Sequence, residues 1–184
     1  MKNLIILGLT LLLVNSCKMY GVTNDFDQLT DKELQLIAPF KTFEESVPGK
    51  VYEINAGELK EDMKRYPKSL VYIFANWCSS SGCQPLSVYK EYAIRNGYNL
   101  YLVISGYHDL NKTLKQNIGQ PLYTIDSEFY KTKYSRAYIR KFRNELMELP
   151  VETKLKDCPM DGSLFFFNFG ILDTVRGDYY LFTQ

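Results

Sequence analysis

The sequence predicts an α/β fold, and three observations carry that prediction. Short apolar runs rich in β-branched and aromatic residues alternate with segments whose apolar residues recur at helical spacing. Gly, Pro and cap-type residues punctuate the junctions between them. The composition also suits one core: 184 residues, 46% hydrophobic, with a formal charge of +1. Strand and helix taking turns along one chain is the pattern of an α/β layer with parallel pairings. The near-neutral balance argues against nucleic acid as a partner. No internal repeat or low-complexity tract interrupts the pattern.

The first residues read as a targeting segment rather than as fold. Lys2 is a short basic region, Leu4 to Val14 is apolar but too short to span a bilayer as a mature helix, and Ser16 stands directly before Cys17. This resembles a bacterial lipoprotein signal. The resemblance implies cleavage before Cys17, acylation of that cysteine, and a protein anchored to a membrane of the cell envelope, facing an extracytoplasmic space. Residues 1–16 are then signal and residues 17–29, polar and unpatterned, a lipidated tether.

Residues 30–48 read as an N-terminal helix and turn. Thr30-Asp31-Lys32-Glu33 is a capping-box signature, Leu34, Ile37 and Phe40 form a short stripe, and Pro39 helps to end it. The remaining domain, residues 49–184, opens with a strand at Lys50 to Ile54. Asn55 to Glu58 caps a helix carrying Leu59, Met63 and Tyr66. Leu70 to Ala75 is a buried central strand ending in a loop with two cysteines, Cys78 and Cys83. The next helix starts at Pro85, since a proline is best tolerated in a first turn, and Leu86, Tyr89 and Ala93 mark its apolar face. Gly97 closes it. Asn99 to Ser105 is another buried strand, followed by a helix near residues 109–117 that Gly119 and Pro121 stop. Leu122 to Ile125 is a short apolar run. Asp126 or Ser127 then caps a longer helix with Phe129, Tyr134, Tyr138, Phe142 and Leu146 as core candidates. A connection over residues 149–163 leads to a strand at Leu164 to Phe167, a turn at Asn168-Phe169-Gly170, and a strand at Ile171 to Val175.

Phe74-Ala75-Asn76-Trp77-Cys78 at the end of a buried strand, with Cys83 just before a helix, resembles the active-site segment of the thioredoxin superfamily, most of all its membrane-tethered thiol-disulfide oxidoreductases. The resemblance covers roughly residues 50–176. It implies a three-layer sandwich, a central mixed sheet flanked by helices, with the family's C-terminal helix missing. The face left open is then expected to be covered by the helix at Thr30 to Phe40. It also implies thiol-disulfide exchange with protein thiols or disulfides of the cell envelope through Cys78 and Cys83, without a small cofactor. Cys78 would attack and Trp77 would shape the rim beside its sulfur. The family's cysteines are two residues apart, whereas four residues separate Cys78 from Cys83. The family's cis-proline, close against the cysteines, aligns with Gly162 here, and Pro159 takes its role only if the loop is shifted.

Physical chemistry qualifies these roles. A residue before proline avoids helical angles, so Gln84 keeps both cysteines in the loop ahead of Pro85. Cys83 then lies nearest the helix dipole, which favours thiolate, and competes with Cys78 as the attacking sulfur. The flexible loop can bring the two α-carbons within ~7 Å, as a disulfide needs. Excluding Cys17, three of the four cysteines remain, Cys78, Cys83 and Cys158, enough for one bridge plus a leftover thiol, or for a metal site. The family's chain order, as the resemblance implies it, would put Cys78, Cys83 and His108 on the edge of the sheet where ligands bind in open α/β folds, with Cys158 either joining them or serving as a loop or core thiol.

Two alternative functions use the same residues. Cys78, Cys83 and His108, the only histidine, could ligate copper as Cu(I); this resembles copper chaperones, which carry the histidine later in the chain. Otherwise Cys78 and Cys83 form a structural disulfide in a redox-inactive binding lipoprotein. Lys133, Arg136, Arg140 and Arg143 step by helical turns and read by default as a solvated basic face, with apposition to anionic headgroups the alternative in a tethered protein, and Arg176-Gly177-Asp178 reads as a surface turn.

Overall fold

The computed structural model describes residues 20–76, 84–154, 162–178 and 181. Seven strands form one mixed sheet: β1 (Ile37–Ala38), β2 (Val51–Ile54), β3 (Ser69–Phe74), β4 (Asn99–Ile104), β5 (Leu122–Ile125), β6 (Leu164–Asn168) and β7 (Ile171–Arg176), in the order β1-β2-β5-β4-β3-β6-β7. The first five in that order run parallel, while β6 is antiparallel to β3 and β7 to β6. The α-helices among the described residues are α1 (Asp31–Leu34), α2 (Ala56–Met63), α3 (Leu86–Asn96), α4 (Leu110–Leu114) and α5 (Ser135–Leu146). Among the described residues, no helix is long and apolar enough to cross a membrane.

Strand alternation divides the core in two. Val71 and Ile73 join Tyr101, Val103, Phe165 and Phe167 on one face, under Leu59 and Met63 of α2 and Tyr138, Phe142 and Leu146 of α5. Leu70 and Tyr72 join Leu102, Ile104, Leu164 and Phe166 on the other, under Leu86, Tyr89 and Ala93 of α3 and Leu110 of α4. Helices therefore cover both faces of the sheet. Each fully buried side chain of this size contributes roughly 1.5–3 kcal/mol relative to exposure.

Local signals formed as expected at several boundaries. Both capping boxes are made: Thr30 accepts from the Glu33 N–H and Asn55 from the Glu58 N–H, with each Glu carboxylate accepting in return from its cap's N–H. Gly97 ends α3 in the left-handed region. Phe169 and Gly170, both at positive φ, turn the chain between β6 and β7.

Other expectations need correction. The segment at Thr30 to Phe40 is not a helix covering an open face. Only Asp31–Leu34 is helical, Leu34 is 40% exposed, and Ile37–Ala38 pairs with β2 at the sheet edge farthest from β7. Pro39 stops the helix, and the unpaired edge of β2 offers hydrogen bonds that a four-residue helix cannot match. The polar stretch expected as a tether is docked from Tyr20 onward, because its backbone finds partners: the Asn24 N–H donates to Lys133 O at 3.1 Å, Tyr107 N–H to Asn24 O at 2.9 Å and Ser135 N–H to Val22 O at 3.0 Å. The helix expected from Asp126 begins at Ser135. Asp126 instead accepts from the N–H groups of Glu128 and Phe129, closing a local turn. Phe129 and Tyr134, ahead of α5, are exposed rather than in the core. Cys158 and Pro159 lie outside the described residues.

Candidate functional site

The C-terminal ends of β2, β3, β4 and β5 meet at one edge of the sheet, and β6 begins there. The Ser105 N–H donates to Phe74 O at 2.8 Å, Asp126 N–H to Ile54 O at 3.0 Å, and Ile73 N–H to Ser163 O at 2.9 Å. Trp77, Cys78 and Cys83 lie outside the described residues, as does Cys17. Their two stems, Phe74-Ala75-Asn76 and Gln84-Pro85-Leu86, are described and sit at this edge.

Residues from α4 and the turn after it hold both stems. Asn76 is buried; its Nδ2 donates to Gly106 O at 3.0 Å, and its Oδ1 accepts from the Thr113 hydroxyl at 2.7 Å. Pro85 takes the N-cap position, one residue earlier than a first helical turn, and has no side-chain acceptor to offer. Gln116 supplies one instead: its Oε1 accepts from the Leu86 N–H at 2.8 Å. Thr113 and Gln116 are three residues apart and face the same way. A hollow of about 290 Å³ opens between the stems, with Tyr72, Phe74, Pro85, Lys112 and Gln116 among its walls.

Beneath the stems the Tyr72 ring stacks on Phe74 and Tyr89, with centroids 5.1 and 3.9 Å apart. Burial pushes the Tyr89 hydroxyl up to about 12 and that of Tyr72 further, so neither ring ionises near neutral pH. The Tyr72 hydroxyl donates to Asp178 at 3.0 Å, and burial raises that carboxyl above the usual aspartate range. The acid of Arg176-Gly177-Asp178 is thus half-buried and used internally.

Gly162 occupies a position that no other residue fits. Its φ is 151°, and a Cβ there would stand 2.2 Å from Arg176 O. Among the described residues there is no cis peptide bond. His108 follows β4, two residues beyond Gly106. Its ring lies 4.4 Å from that of Tyr20 and its Nε2 3.8 Å from the Asp109 carboxylate. The other members of its supposed copper set, Cys78 and Cys83, lie outside the described residues.

Sequence reasoning did not single out Asn76, Thr113, Gln116 or Glu53. Glu53 accepts from the Tyr107 hydroxyl at 2.8 Å; burial first, then the charges of Asp126 and Glu128, raises its carboxyl above the usual range. A carboxylate inside the run Val51-Tyr52-Glu53-Ile54 was the available signal. The Asn76 and Gln116 contacts join residues about thirty apart and had none. Against protein-family models, curated proteins and solved structures alike, the chain finds no match.

Proposed function

We propose that this protein is a lipid-anchored, thioredoxin-like thiol-disulfide exchange protein of the cell envelope, acting through Cys78 and Cys83. The observation that carries this reading is the paired fixing of the cysteine loop's stems, Asn76 by Thr113 and Leu86 by Gln116, at the C-terminal edge of a parallel sheet. Stems held in this way fix the two points between which the cysteine loop runs. Lys112 lines the adjoining hollow beside both stems, and a cation there would favour thiolate over thiol in a cysteine that faced it.

In the exchange, one thiolate attacks a partner disulfide, forming a mixed disulfide and releasing one partner sulfur as thiolate. The second cysteine, deprotonated, displaces the remaining partner sulfur. The partner leaves reduced and the pair leaves oxidised, with two electrons transferred. A second dithiol protein returns the electrons, and a pair held oxidised runs the sequence in reverse. Helices on both faces of a mixed sheet support the layered thioredoxin-like reading.

A glutathione redox titration tests the proposal. Cys78 and Cys83 are expected to equilibrate within the range of thiol-disulfide carriers, on the order of −120 to −270 mV, whereas structural bridges lie below about −300 mV. One of Cys78→Ser and Cys83→Ser should trap a mixed disulfide with a protein partner. Resistance to reduction across the glutathione range, with no trapped partner in either variant, would overturn exchange in favour of a redox-inactive binding role.

A further inference from the structure

We propose that the surface formed by Tyr20, Val22, Tyr134, Lys133 and Arg136 docks on an anionic bilayer, turning the edge that carries the cysteine stems toward the membrane. The inference deepens the proposed function and rests on its lipid anchor at Cys17.

Tyr20, Val22 and Tyr134 are 49%, 44% and 66% exposed, yet they are neighbours on a fixed surface. A β-bridge joins Thr23 to Tyr134, the Ser135 hydroxyl donates to Gly21 O at 2.6 Å, and buried Asp25 accepts from the Gly21 N–H at 2.8 Å. Only three residue steps separate Tyr20 from Cys17, which reach at most ~11 Å. An acyl chain on Cys17 therefore holds this surface at the bilayer interface, where tyrosine, with an apolar ring and a polar tip, is favoured.

Arg136 lines the same hollow, of about 550 Å³, as Tyr20 and His108, and has no acidic partner among the described residues. Lys133 has one, the exposed Asp27, at 3.7 Å. Basic groups beside an anchor are attracted by anionic headgroups. His108, in that hollow, leads back through Gly106 to Asn76, so docking carries the cysteine stems close to the membrane. The matching substrates are thiols or disulfides of membrane proteins, near the bilayer surface, rather than those of freely diffusing proteins.

The test uses the full chain, reconstituted into vesicles, with a single indole as reporter. Trp77 is the only tryptophan, so Tyr134→Trp in a Trp77→Phe background reads one position. In vesicles of phosphatidylglycerol and phosphatidylcholine carrying bromine on their acyl chains, its emission is expected to shift to the blue and be quenched. Ile171→Trp in the same background reads the opposite edge and should stay unquenched. Adding Lys133→Glu and Arg136→Glu should weaken docking by about tenfold or more. Mass spectrometry of Cys17 decides the anchor separately. An acylated chain whose Tyr134→Trp indole stays unquenched overturns this inference and leaves the anchor standing. An unmodified Cys17 with a quenched indole removes the anchor and leaves the surface. Equal quenching at positions 134 and 171 also overturns it.

Discussion

Three carboxylates taken wholly or partly out of water accept from tyrosine hydroxyls: Glu53 from Tyr107, Asp62 from Tyr101 at 2.5 Å, and Asp178 from Tyr72. Each acid is nonetheless raised, with burial the leading cause, because the donors that reach it, including the Arg65 guanidinium at Asp62, do not replace the water lost. For Glu53 the sign follows directly. The unfolded carboxyl titrates near 4.5 and the folded one above it, so its contribution to stability is fully present below the unfolded value and is lost as pH rises through the folded one. Glu53→Gln keeps an acceptor for Tyr107 and should raise the urea midpoint at neutral pH, while flattening its pH dependence above about 4.5. A lower midpoint at neutral pH would contradict this. The stem clamps give a second expectation. Thr113→Val should cost about 1–3 kcal/mol by leaving the Asn76 Oδ1 without its donor. Gln116→Ala should cost on the order of 1 kcal/mol through the lost cap on Leu86. Urea denaturation checks both, and unchanged midpoints would show that the stems are held by something else.

At the level of elements, the start of β6 is the most tightly constrained junction. Ser163 exchanges hydrogen bonds with two strands at once, donating its N–H to Arg176 O at 3.0 Å and accepting from the Ile73 N–H. Gly162 must pass directly against the Arg176 carbonyl to allow this. Gly162→Ala is therefore expected to destabilise the protein by about 2 kcal/mol or more, read as a lowered thermal midpoint. Midpoints within experimental error of each other would mean that the β6–β7 pairing shifts at little cost. All the described strands except β1 were legible to within a residue or so, as runs bounded by turn signals, and so were the two capping boxes, whose partners are three residues apart. The start of α5 was not, because Asp126 satisfies a turn as well as it would a helix and nothing local chooses between them. Nor was β1: Ile37 fits a helical stripe, and only the exposed edge of β2 makes it a strand. Of the candidate site, the sequence pointed to the strand, the helix and the edge they share. The side chains that hold the stems come from α4 and the turn that follows it, which sequence spacing could not reach.

Across the whole molecule, the docking of residues 20–29 joins the N-terminal end of the described chain to the same edge as the cysteine stems. Orientation at a membrane would thus be a property of the fold as well as of an anchor. The order of the sheet has a temporal consequence as well. β3 is central, yet one of its two neighbours, β6, is synthesised about a hundred residues later, and β2 waits about seventy residues for β5. Closing such long loops precedes any gain from the contacts, so the chain should fold slowly for its size, with the apolar flank of β3 open until Leu164 to Asn168 arrive. A nascent chain of this kind keeps its central strand open until its last third is made, and during that interval that strand is the segment most in need of a chaperone.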